Sequence, residues 1–108
     1  MNELIKAILD PLGVPVSFQT YSGTAITYIT FFEYLGQGEE FADNEATNEG
    51  HYMQIDIWSK CDYSLLVKNV IAALKNAEFG HPKENELYEK ETKTFHKIIR
   101  TFKSEEVV

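Results

Sequence analysis

Cysteine is nearly absent: Cys61 is the only one in 108 residues. A single thiol makes neither an intramolecular disulfide nor a thiolate-rich metal site, which points to a reducing compartment. Basic charge is scarce as well, with ten Lys and Arg against seventeen Asp and Glu and a formal net charge of −7. That balance disfavours a general electrostatic grip on nucleic acid or on an anionic membrane. Apolar runs are short, none approaching the about 18 residues of a membrane helix. The opening MNELIKAILDPLG lacks a charged leader, a long apolar stretch and a small-residue cleavage site, so a soluble, untargeted chain is expected. What remains, 44% apolar and 25% charged residues in 108, fits one globular domain, 1–108. Aromatics are plentiful at 13% and fall mostly in alternating runs, which favours sheet over a helix bundle.

Leu4, Ile5, Ile8 and Leu12 recur at helical spacing, and Pro11 with Gly13 supplies a stop, so a short helix is expected over 3–10. Alternation then sets in over 14–19 as a first strand, with Pro15 suited to an edge. Tyr21-Ser22-Gly23-Thr24 reads as a tight turn in which Gly23 takes positive φ, making a hairpin with a second arm over 25–34. Both faces of that arm carry apolar bulk, as expected of a central strand covered on each side. Residues 51–58 alternate Met53, Ile55 and Ile57 with Tyr52, Gln54, Asp56 and Trp58, a strand with one wet face. Ser59 and Asp62 form an S-x-x-D start signal ahead of Tyr63, Leu66, Val67, Val70, Ile71 and Leu74, placing a long helix at about 60–76. Phe79-Gly80-His81-Pro82 reads as a break and 86–89 as a short strand. The β-branched and aromatic content of 94–103 favours strand over helix there, joined through Glu91-Thr92-Lys93. The expected fold is α+β: a mixed or antiparallel sheet of about four to five strands on one long helix and a short N-terminal one, in the order α-β-β-β-α-β-β.

Between these elements lies GQGEEFADNEATNEG, residues 36–50, with no periodicity, no basic residue and five acids, Glu39, Glu40, Asp43, Glu45 and Glu49. A long loop is expected, holding most of the chain's negative charge. Its Asp43-Asn44-Glu45 lacks the frame of a calcium loop, and Gly36-Gln37-Gly38 lacks a third glycine and precedes acids that repel phosphate. Glu39 and Glu40 have nothing around them in sequence to desolvate a carboxylate for acid/base work. Cys61, at the start of the long helix, has no histidine nearby and reads as incidental. His51, His81 and His96 belong to no metal-ligand spacing. Tyr28, Phe32, Tyr34, Tyr52 and Trp58 would suit a base-stacking platform only beside a basic groove, so they read as core or subunit-interface packing. No catalytic residue, cofactor or metal is expected.

The ordered set of a short helix, V-P-V-S-F-Q-T-Y-S-G-T-A-I-T-Y-I-T-F-F (14–32), E-G-H-Y-M-Q-I-D-I-W-S-K (49–60), the long helix and E-L-Y-E-K-E-T-K-T-F-H-K-I-I-R (86–100) resembles small tail-component proteins of siphophages and Gram-positive prophages. The resemblance spans nearly the whole chain, and the group looks like the tail-terminator and head-tail joining proteins. It implies an α+β subunit without turnover, assembling as a homo-oligomeric ring, a hexamer, alone or when templated. The implied partners are other copies, the tail tube and the head connector, with no specific nucleic acid and no membrane. The implied location is the virion tail, and the host cytoplasm during assembly. Within that picture Glu39, Glu40, Phe41, Asp43, Glu45 and Glu49 are candidates for a subunit contact, or for a bore lining whose charge keeps DNA from sticking. The alternative is a non-catalytic protein-binding or regulatory module of a mobile element.

Overall fold

The computed structural model describes residues 1–34 and 48–106. Helix α1 spans Asn2–Leu9 and runs into a single 3-10 turn at Asp10–Leu12, where Pro11 is tolerated because the first turn has no N–H partner to lose. Gly13, at φ 87°, then turns the chain out. Strands β1 (Val16–Phe18), β2 (Thr27–Tyr34) and β3 (Asn48–Ser59) follow, then helix α2 (Ser64–Asn76) and strands β4 (Gly80–Glu89) and β5 (Thr94–Glu106). The fold is α+β in the expected element order, with one five-stranded mixed sheet ordered β1-β2-β3-β5-β4.

The expected hairpin between the first two strands does not form. β1 and β2 pair in parallel, Val16 opposite Ile29 and Phe18 opposite Phe31. A three-residue strand is only about 10 Å long, so residues 19–26 suffice to carry the chain back past it without a helix. Gln19, at φ 65°, donates its N–H to the Phe31 carbonyl, and Thr20 N–H turns back to the Phe18 carbonyl. Gly23 does not take positive φ; it lies under the Tyr21 side chain, where a Cβ would collide with the ring. The Tyr21 hydroxyl accepts the Ala25 N–H, which holds the loop folded.

The long helix begins four residues later than its start signal, because Ser59 and Asp62 are engaged elsewhere. Ser59, fully buried at the end of β3, shares its hydroxyl with Thr27 and accepts the Cys61 N–H. Asp62 accepts both the N–H and the hydroxyl of Ser64, and these bonds hold its carboxyl below the usual range. At the other end, Phe79 N–H reaches Leu74 O and Glu78 N–H reaches Lys75 O, a Schellman closure with Glu78 at φ 69°. Phe79-Gly80-His81-Pro82 is no break: β4 starts at Gly80, with a register shift between Gly80 and Lys83 that accommodates Pro82 on an edge strand. The closing strand is confirmed over Thr94–Glu106, and residues 90–93 make its turn, with Lys93 at φ 54°.

Both helices lie on one face of the sheet. Ile5 and Leu9 of α1 and Val67, Val70 and Leu74 of α2 pack on Ile29, Phe31, Met53, Ile55, Ile57 and Ile99, all buried. Each such side chain contributes about 1.5–3 kcal/mol of burial. Lys103 ties α2 to the sheet by donating to the Ala77 carbonyl at 2.6 Å, favourable at a helix C-terminus. No helix among the described residues covers the other face, so β2 is not covered on both sides as expected.

Candidate functional site

Strand alternation puts Tyr28, Thr30, Phe32 and Tyr34 of β2, Tyr52, Gln54, Asp56 and Trp58 of β3, and His96, Ile98, Arg100 and Phe102 of β5 on the helix-free face. A ring stack crosses one end of it. Tyr21 stacks on Tyr28 at 4.3 Å, Tyr28 lies 6.1 Å from Trp58 at 15°, and Trp58 stacks on His96 at 3.6 Å. Burial beneath this stack pushes the Tyr28 phenol up, with Glu89 and Tyr21 adding to the effect. Trp58 donates its indole N–H to Thr30, which is itself buried.

Asp56, expected on a wet face, is 4% exposed. Its carboxylate is met at 2.8 Å by His96 Nε2 and at 2.9 Å by the Gln54 amide nitrogen. Gln54 then accepts from Arg100 Nε at 2.9 Å, and the Arg100 guanidinium lies 5.4 Å from the centroid of the Tyr34 ring. The order Trp58, His96, Asp56, Gln54, Arg100 thus passes from a buried stack to an exposed cation, each group held by the one before it. Arg100 borders an open groove of about 370 Å³ lined by Tyr34, Lys83, Glu84, Asn85, Ile98 and Arg100. Glu84 is engaged by Lys97 at 3.3 Å. Among the described residues neither Lys83 nor Arg100 forms an ion pair.

Large exposed apolar side chains lie on both outer strands, Phe18 (49% exposed) on β1 and Leu87 (48%) and Tyr88 (49%) on β4; Ile26, just before β2, and Leu65, on α2, are exposed as well. The exposed apolar residues of the two outer strands differ in kind, and on β4 Leu87 and Tyr88 point to opposite faces of the sheet. The five aromatics read as core or interface packing are half-buried on the helix-free face.

Of the candidate loop residues, Glu39, Glu40, Phe41, Asp43 and Glu45 lie outside the described residues, whereas Glu49 belongs to β3 with Glu105 as its register partner. The expected loop therefore ends at least three residues early, because strand pairing continues back to Asn48 opposite Glu106. His51 is within 2.8 Å of Glu33, and Cys61 is exposed in the bend before α2. Among the described residues no group of three or more His, Cys, Asp and Glu is arranged to hold a metal. Sequence reading missed the Asp56-His96 pair and the Lys83-Arg100 groove. The polar residues of β3 were visible, but their partners are 40 and 46 positions away. No protein-family model and no curated protein matches the chain.

Proposed function

We propose that this protein is a non-catalytic structural subunit of a phage or prophage tail. In this reading it is of the tail-terminator or head-tail joining kind and assembles head to tail into a ring at the end of the tail tube. The supporting observation is that the two outer strands of one sheet expose unlike apolar side chains, Phe18 on β1 and Leu87 and Tyr88 on β4. A head-to-tail contact uses two different complementary patches, and when its rotation closes it gives a ring. The topology suits such a repeat. With β1 and β2 parallel and the remaining neighbours antiparallel, β4 runs opposite to β1, so copies repeated side by side bring β4 against an antiparallel β1. The partners are further copies, the tail tube and the head connector; the sites of action are the host cytoplasm during assembly and the virion tail.

The test is light-scattering mass after size exclusion at low and high concentration, with negative-stain imaging and co-sedimentation with purified tails. Rings of about six subunits, or a monomer that joins tails, support the reading. A chain that remains monomeric at every concentration and ignores tails overturns it, in favour of a binding or regulatory module.

A further inference from the structure

The groove beside β4 holds two exposed cations, Lys83 and Arg100, without an ion pair among the described residues, in a chain of net charge −7. Arg100 is oriented for a ligand. Its Nε is taken by Gln54, Gln54 is fixed by the buried Asp56, and Asp56 is fixed by His96 under Trp58. Its terminal nitrogens are left as a planar fork, the geometry that accepts a carboxylate through two parallel bonds. Asn85 adds an amide to the lining, and Tyr34 lies beneath the guanidinium. The fork of Arg100 with the Lys83 ammonium beside it matches the carboxylates of an acidic polypeptide segment.

The same sequence carries such a ligand: residues 36–50 include Glu39, Glu40, Asp43 and Glu45 and no base. We propose that the Lys83-Arg100 groove receives the acidic stretch 39–45 of a second copy of this chain. The assignment to a second copy rests on the ring reading, because the groove borders β4, an outer strand of the sheet and the one that meets a neighbour in that assembly. The ring is then held by an apolar contact at the sheet edges and a charge contact beside it, the latter setting which neighbour is accepted.

Two charge reversals test this. One chain carries Lys83→Glu with Arg100→Glu; the other carries Glu39→Lys, Glu40→Lys, Asp43→Lys and Glu45→Lys. All these side chains are polar, and Lys83→Glu alone, which leaves the Arg100-Gln54 bond in place, serves as the fold-neutral control. The first readout is fluorescence anisotropy of a labelled peptide GQGEEFADNEATNEG. The expected result is binding to the wild-type chain that weakens at least about tenfold with the double reversal and falls with added salt. The second readout is light-scattering mass: each variant alone fails to assemble, and an equimolar mixture assembles, since each groove again meets an opposite charge. Peptide binding that ignores the groove reversal, or the absence of rescue on mixing, overturns the proposal. Wild-type rings with no peptide binding overturn it while leaving the ring reading standing. Groove-dependent peptide binding in a chain that never forms rings supports the contact and defeats the ring reading.

Discussion

Asp56 is the residue whose environment departs most from what its neighbours in sequence suggest. Its carboxylate and the His96 ring are both buried and 2.8 Å apart on two adjacent strands, with Trp58 stacked on the imidazole. Removing one member leaves the other buried without its hydrogen bond, at a cost of about 1–3 kcal/mol. Asp56→Ala is therefore expected to lower the urea midpoint sharply. The double replacement Asp56→Leu with His96→Phe is expected to recover most of that loss, since neither polar group remains to be satisfied. A double replacement as unstable as the single one would show that the pair contributes more than its own hydrogen bond. Tyr63 presents the opposite case. Its hydroxyl is buried without a hydrogen-bond partner of good geometry, and burial, reinforced by the Glu86 carboxylate, pushes its phenol up to about 12 from 10.0. The folded state thus keeps this proton longer than the unfolded chain does. The stability so contributed is complete below about pH 10 and is lost as pH rises through about 12. Tyr63→Phe is expected to remove that part of the alkaline loss, and at neutral pH to be neutral or stabilising by up to about 1 kcal/mol, because an orphan hydroxyl is gone. Urea titrations of both chains at a series of alkaline pH values measure it.

At the scale of elements, the exit of α2 couples local strain to core packing. The Schellman bonds bring Phe79 back over Leu74, and both are buried. They require a left-handed residue at position 78, which is Glu in this chain at φ 69°. A Cβ in that region costs about 1–2 kcal/mol relative to glycine. Glu78→Gly is expected to stabilise by about 1 kcal/mol, offset in part by the greater freedom of glycine in the unfolded chain. In a thermal melt that corresponds to a rise of about 4–8 °C. A fall in Tm would mean that the Glu78 side chain makes a contribution its geometry does not show. The amphipathic period of α2 and the alternation of β3 were legible because each element buries a single face, which writes its period directly into the sequence. The direction of β1 was not legible, since alternation is the same for a parallel and an antiparallel strand. Nor was the helix start, where Ser59 and Asp62 have the right types but are held by Thr27, Cys61 and Ser64.

For the whole molecule, the proposed ring makes the two outer strands its contact surfaces. Phe18 and Leu87 are each half buried, and Phe18 packs on the buried Phe31 with ring centroids 5.8 Å apart, so Phe18→Glu and Leu87→Glu are each expected to cost about 1 kcal/mol of folding stability. Each is expected to abolish ring formation or tail joining, measured by light scattering and co-sedimentation, with Tm as the control for folding. If either variant assembles like the wild type, that edge lies outside the subunit contact. Composition, charge and hydrophobic period determined by themselves that the chain is acidic and of the α+β class, that its helices are amphipathic and which residues of β3 and α2 face the core. These properties follow from short-range spacing, which a linear string records. The parallel pairing of β1 with β2, the burial of Asp56 against His96, and the Lys83-Arg100 groove were decided only in the folded chain. Each depends on which strands become neighbours and in which direction they run, which alternation along a single strand does not record; Asp56 and His96 are moreover 40 positions apart.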